Sequence, residues 1–306
     1  ALTVASSTIT INNGGTYVHN TTASAGTPLA VTTFSSGSTM IYRGSSTLSP
    51  SITLSGRTYH HLIIESTSGA LSLTGTGGSS LVINGDLTIG ANCTFGPNVT
   101  AIPGHSIKGN ITIGSGGTLN YSTASAGTLN LDGSGTQTIS GTGTFTTGAN
   151  ATIAVGASST IDFGSTNAIA GSGTFTTASG STLITANAAG INGSLTLANR
   201  TLNAGTNYTF NGSAAQVTGA AVASANNLTL NNSAGLTLST NTAVTGALTF
   251  TNGNLTTNGN TLTLNNSPSG AAATKYIIAD ATGTVTMNSV STATISTKRY
   301  FRLFFR

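Results

Sequence analysis

Ala225-Asn-Asn-Leu-Thr-Leu-Asn-Asn-Ser-Ala-Gly235 decides the fold class, because it repeats the pattern of Tyr59-His-His-Leu-Ile-Ile-Glu-Ser-Thr-Ser-Gly69. Each stretch is a short apolar alternation running into a Gly or Asn turn. Each is followed by a further short alternation and then by Asn84-Gly-Asp-Leu-Thr-Ile89 or Thr245-Gly-Ala-Leu-Thr-Phe250. A period of two over three to five residues is a strand with one buried face. The same phrase recurs along the chain as Ile9-Thr10-Ile11, Leu71-Ser72-Leu73, Ile111-Thr112-Ile113, Leu195-Thr196-Leu197 and Leu262-Thr263-Leu264. Gly141-Thr-Gly-Thr-Phe-Thr-Thr147 also returns as Gly171-Ser-Gly-Thr-Phe-Thr-Thr177, thirty residues on. Self-similarity at this spacing belongs to solenoids, propellers and arrays.

A propeller wants recurring aromatic anchors on four-stranded blades, yet the 306 residues contain no Trp and only 6% aromatics. The expectation is therefore an all-β, right-handed parallel β-solenoid (β-helix) with little or no helix. Turns of roughly 20–25 residues would stack into about 12–15 rungs about 4.8 Å apart. Small apolar residues would face inward and Thr, Ser and Asn outward, with Gly and Asn at the corners. The sequence reads as a repeat domain over residues 1–297 and a distinct tail over 298–306.

Charge sharpens that division. Charged residues make up 5% of the chain, against about 25% in an ordinary soluble domain. The formal net charge is +4, and all of it comes from Lys298, Arg299, Arg302 and Arg306; the five basic and five acidic residues before them cancel. A neutral body offers no stripe for tracking phosphates, so no nucleic-acid partner is expected. The lone Cys93 excludes an intrachain disulfide, and no apolar run reaches the length of a membrane helix.

Five phrases carry a family resemblance: Ser38-Thr-Met-Ile-Tyr-Arg-Gly44, Arg57-Thr-Tyr-His-His-Leu-Ile-Ile64, Tyr208-Thr-Phe-Asn-Gly-Ser-Ala-Ala-Gln216, Asn226-Asn-Leu-Thr-Leu-Asn-Asn-Ser-Ala-Gly-Leu-Thr-Leu238 and Lys275-Tyr-Ile-Ile-Ala-Asp-Ala-Thr-Gly-Thr-Val285. In these the chain resembles the large secreted β-helical repeat proteins of Bacteroidota, which serve as adhesins and surface fibres and are often type IX secretion substrates. The resemblance implies an extracellular or cell-surface location and brings no catalytic residues. After Val285 the pattern stops, and the sequence ends Thr297-Lys-Arg-Tyr-Phe-Arg-Leu-Phe-Phe-Arg306 in place of a Phe-Pro-Val-Gly segment.

Four features invite a chemical reading. Asp132 and Asp162 each stand thirteen residues before the Phe of a repeated phrase, Phe145 and Phe175. On equivalent faces they would be about 5 Å apart if thirty residues make one turn, or about 10 Å if they make two, as in retaining or inverting glycosidases. The alternative is two corner aspartates copied with the repeat. His60-His61 suggests a metal, but strand neighbours point to opposite faces and the echo holds Asn226-Asn227, so a polar corner is expected. Thr-x-Thr phrases at Thr8-Thr10, Thr144-Thr146, Thr174-Thr176, Thr261-Thr263 and Thr284-Thr286 suggest an ice-binding face, though their spacing is irregular. In the tail, alternation puts Phe301, Leu303 and Phe305 on one face and Tyr300, Arg302, Phe304 and Arg306 on the other. It is either a cap on the last turn or a strand that docks on another subunit.

The expected function is that of an extracellular structural protein, a subunit of a head-to-tail homopolymeric surface filament. No catalytic, cofactor or metal site is expected, and the partners are further copies of the chain and surface glycans. An adhesive stalk binding glycan or ice is the alternative, and a polysaccharide-degrading β-helix enzyme is the second alternative. The site that carries the filament reading is Lys298, Arg299, Tyr300, Phe301, Arg302, Leu303, Phe304, Phe305 and Arg306.

Overall fold

The structure, a computed structural model, describes residues 9–20, 31–45, 51–53, 57–76, 79–97, 104–123, 125–280 and 282–288. It packs as two compact units: Ala1–Ala154 with Ile169–Thr174 and Leu197–Asn199, and Val155–Ala168 with Phe175–Thr196 and Arg200–Arg306.

In the first unit a six-strand parallel ladder runs Thr16–Asn20, Thr39–Gly44, His61–Ser66, Leu87–Ile89, Ile111–Ile113, Thr136–Gly141. A second ladder joins Ser51–Thr53, Leu71–Thr76, Cys93–Gly96, Thr118–Tyr121, Thr144–Thr147 and Ile169–Gly171. A third starts with Thr58–Tyr59, Val82–Ile83, His105–Ile107 and Gly127–Leu131. The second unit repeats the plan with a five-strand ladder: Thr160–Asp162, Thr182–Thr185, Asn207–Phe210, Leu228–Asn231, Leu248–Asn252. Two four-strand ladders accompany it, one from Gln216–Val217 to Ile277–Ile278 and one from Ser224–Ala225 to Thr284–Met287. The fold is thus a parallel β-solenoid, with about eleven turns among the described residues. One helical turn, Ile191–Ser194, interrupts it.

Side-chain alternation explains the register. Leu62 pairs with Leu87, Leu87 with Ile111 and Ile111 with Ile139, so the turns here differ in length from rung to rung. In the second unit Tyr208, Leu228 and Leu248 pair at a shorter and even spacing. Like residues stack on like residues, so each new rung buries its apolar face on the previous one, at roughly 2 kcal/mol per Leu, Ile or Phe. A one-residue slip would turn every buried face outward, and this penalty fixes the register.

The core differs from the expected small-residue filling. Tyr42, Tyr59, Tyr121, Tyr208, Phe95, Phe145, Phe163, Phe175 and Phe210 are all fully buried. Corners use the left-handed region, with Asn92 (φ 57°), Ser158 (φ 61°) and Asn258 (φ 51°) adopting it without being glycine. Gly141 (φ 98°) is compulsory, because a Cβ there would lie 2.0 Å from the Ile113 carbonyl oxygen of the previous turn.

Candidate functional site

The polar groups nearest to a chemical constellation lie on the long ladder of each unit, the one through His61–Ser66 in the first and the one through Asn207–Phe210 in the second. At the position before the paired apolar residue, a side-chain acceptor takes the backbone N–H of the same position one turn later. Asp86 N–H donates to His61 Nδ1 (3.0 Å), Asn110 N–H to Asp86 Oδ1 (2.8 Å) and Thr138 N–H to Asn110 Oδ1 (2.9 Å). The second unit builds the same spine from amides: Asn227 N–H donates to Asn207 Oδ1 (3.2 Å) and Ala247 N–H to Asn227 Oδ1 (2.8 Å). The sequence signal is an acceptor side chain directly before a Leu-Thr-Leu-type phrase, as in Asp86-Leu87, Asn110-Ile111 and Asn227-Leu228. Alternation alone finds these phrases and assigns no role to the residue preceding them.

This spine accounts for the histidine pair. His61 occupies the position held by Asn227 in the other unit and does the same work. Its Nδ1 also lies 3.6 Å from Asp86 Oδ2. The His60 ring meets the His61 ring edge-on at 4.4 Å between centroids. Partial burial, and then His61 beside it, hold the His60 imidazole below its usual pKa. Among the described residues no group of three or more His, Cys, Asp and Glu side chains comes together to hold a metal ion.

The two aspartates do not share a face. Asp132 follows the strand Gly127–Leu131 of the third ladder and accepts a hydrogen bond from Ser106 Oγ (2.6 Å). Asp162 lies in Thr160–Asp162 of the five-strand ladder and accepts one from its own corner, Gly164 N–H (2.8 Å). The reason is that the thirty-residue echo is not a turn. Phe145 pairs with Ile169, a shorter step than the echo, while Phe175 lies in Thr174–Thr177 of another ladder. The glycosidase spacing therefore has no basis in the register.

Hydroxyls do form columns. Ser72, Thr94, Thr118 and Thr144 stack in register, with Thr118 Oγ1 and Thr144 Oγ1 3.1 Å apart. Beside them the next outward column reads Thr74, Gly96 in one pairing and Asn120, Thr146, Ala170 in the others, so no paired Thr array results on this ladder. Thr261 and Thr263 do stack in register on Thr284 and Thr286, with Thr284 Oγ1 donating to Thr261 Oγ1 at 2.8 Å. Of the expected Thr-x-Thr phrases, Thr8 lies outside the described residues. Arg43 and Glu65 pair across adjacent strands, each about one-third exposed.

Two further devices escaped the sequence reading. Gln137 and Gln216 are buried at matching corners, Gly133-Ser-Gly-Thr-Gln137 and Gly212-Ser-Ala-Ala-Gln216. Each Oε1 accepts the N–H of the glycine four residues earlier at 2.8 Å, and each Nε2 donates to two carbonyls of the preceding turn. Cys93 is fully buried, and desolvation pushes its thiol pKa up. The expected docking residues Lys298 to Arg306 lie outside the described residues.

No family model matches the chain, and no curated protein or solved structure matches it.

Proposed function

We propose that the chain is a non-enzymatic structural protein of the cell exterior, and that it polymerises head to tail into a surface filament. The observation that carries this reading is the way one rung is joined to the next. Along the ladders a turn offers its successor a parallel strand edge and an apolar column, and at several joints a side-chain acceptor for the next backbone N–H. Such a joint has no built-in stop, since an open strand edge templates another strand. A heterologous contact between unlike ends that does not close makes a fibre. His61, Asp132 and Asp162, which the sequence offered for chemistry, are engaged in hydrogen bonds that hold turns and corners. In this reading Lys298 to Arg306, with Phe301, Leu303 and Phe305 on one face, form the docking strand.

Electron microscopy of the purified full chain, with light scattering across a concentration series, tests the proposal. Filaments are expected, and removal of residues 298–306 should leave monomers. A full chain that stays monomeric at every concentration refutes it. The Ser72–Thr94–Thr118–Thr144 column favours the adhesive alternative as a second reading, since aligned hydroxyls suit a glycan or ice lattice. Glycan-array binding or thermal hysteresis, lost on replacing Thr94 and Thr118 by Val, would support it.

A further inference from the structure

Two imidazoles clip the two ends of one corner segment. Leu81-Val-Ile-Asn-Gly-Asp86 leads from the third ladder into the long ladder of the first unit. Its inner N–H groups donate to ordinary carbonyl partners: Val82 to Arg57 O (3.0 Å), Asn84 to Tyr59 O (2.9 Å), Gly85 to His60 O (2.6 Å). At its ends imidazole nitrogens stand in for carbonyls. Leu81 N–H donates to Nδ1 of His105 on the following turn (2.9 Å), and Asp86 N–H donates to Nδ1 of His61 on the preceding turn (3.0 Å). A nitrogen that accepts an N–H bond must carry its lone pair, so the buried His105 ring is held as the neutral Nε2–H tautomer.

We propose that His105 forms a proton-sensitive latch on the segment Leu81–Asp86, closed while its Nδ1 is unprotonated and released in acid, with the His61 contact holding the other end of the segment. At the other end His61 Nδ1 lies 3.6 Å from Asp86 Oδ2, with the His60 ring alongside. His105 forms no ion pair among the described residues. It is 2% exposed, with the Tyr121 ring edge-on to it at 5.8 Å. The other titratable groups on the strands around it are Lys108 and Asp132, both exposed, and Asp132 is held by Ser106 Oγ. A proton on His105 Nδ1 would set two N–H groups against each other in a buried place, and breaking the contact is the way out.

Desolvation lowers the His105 pKa in the folded chain. A group whose folded pKa is depressed binds more protons when released, so closure weakens as pH falls below the ordinary imidazole value of about 6.5. The closing constant drops by up to about tenfold per pH unit until the folded pKa is reached. The second unit supplies an internal control, because Asn207 and Asn227 occupy its spine and do not titrate.

Hydrogen exchange read by mass spectrometry on the full chain, corrected for the intrinsic pH dependence of exchange, tests the latch. Between pH 7.5 and 5, protection of residues 79–90 should fall by up to about tenfold per unit below 6.5, while residues 228–250 hold steady. His105→Asn places an amide oxygen near the Nδ1 position and should flatten the response while keeping protection at pH 7.5. A flat wild-type response, or an equal fall in His105→Asn, overturns the proposal. Should that variant not fold, nitrogen NMR of the wild-type rings decides. Unprotonated Nδ1 on His105 at pH 7.5, titrating in step with the lost protection, supports the latch; protonated Nδ1 at pH 7.5 overturns it.

Discussion

Replacing Gln216 by Leu should loosen its corner by about 3–4 kcal/mol, and the cost can be followed atom by atom. Gln216 is 2% exposed. Its Oε1 accepts from Gly212 N–H (2.8 Å) and Asn232 Nδ2 (2.9 Å), and its Nε2 donates to Thr185 O and Asn187 O, both at 3.0 Å. Three of those partners keep another bond: Thr185 O accepts from Asn211 N–H, Asn187 O from Gly190 N–H, and Asn232 Nδ2 donates to Ala214 O. Gly212 N–H loses its acceptor in a buried corner. One orphaned buried donor costs about 2 kcal/mol, and three bonds lost from partners that stay partly satisfied add about 0.5 kcal/mol each. Because solenoid turns unfold locally, the assay is hydrogen exchange over residues 207–217 alongside urea denaturation. Gln216→Glu sharpens the test. Its carboxylate would face two carbonyl oxygens, so its pKa should rise in the folded chain. The variant is then most stable in acid and loses stability as pH climbs above the unfolded value of about 4.3. A Leu variant within about 1 kcal/mol of wild type, together with a pH-flat Glu variant, would refute the claim that this amide holds the corner.

Three other outcomes follow from the packing. Cys93, fully buried with its thiol pKa raised by desolvation, should resist alkylation by iodoacetamide at pH 8 in the native chain and react fully in denaturant; fast native labelling would contradict its place in the ladder. Gly141→Ala should destabilise the first unit by more than about 2 kcal/mol in urea melts, since its Cβ would meet a backbone oxygen at 2.0 Å and its φ is 98°. Gly135→Ala, with open space around it, should cost far less. Arg43→Ala should change stability by less than about 1 kcal/mol, because a pair one-third exposed to water is screened; a larger loss would mean that the pair does more than bridge two strands.

The sequence declared its strands and its class of fold openly, because alternation and stacking are local properties that each phrase carries in full. It declared its register only in part, and two echoes show why. The echo of Tyr59–Gly69 in Ala225–Gly235 places His61–Ser66 and Leu228–Asn231 each on the long ladder of its unit, because the repeated residues include both the corner acceptor and the strand it introduces. The echo of Gly141–Thr147 in Gly171–Thr177 marks two different corners. In each, a glycine of positive φ (98° and 118°) presses against a carbonyl of the previous turn, Ile113 O and Thr147 O, where a Cβ would come within 2.0 and 2.2 Å. Any sharp corner that approaches the preceding turn so closely needs a residue without Cβ. Identical phrases can therefore arise from identical local geometry at unlike places, and a copied corner is no measure of a turn. For the same reason Asp132 and Asp162, equivalent by spacing, end on separate ladders. The step from Ile111 to Ile139 is longer than the step from Tyr208 to Leu228, because corners absorb insertions while the column of buried residues admits none. Register in such a chain follows from which apolar residue must lie on which. Leu62, Leu87, Ile111 and Ile139 form one such column, and a functional face has to be argued from columns of that kind.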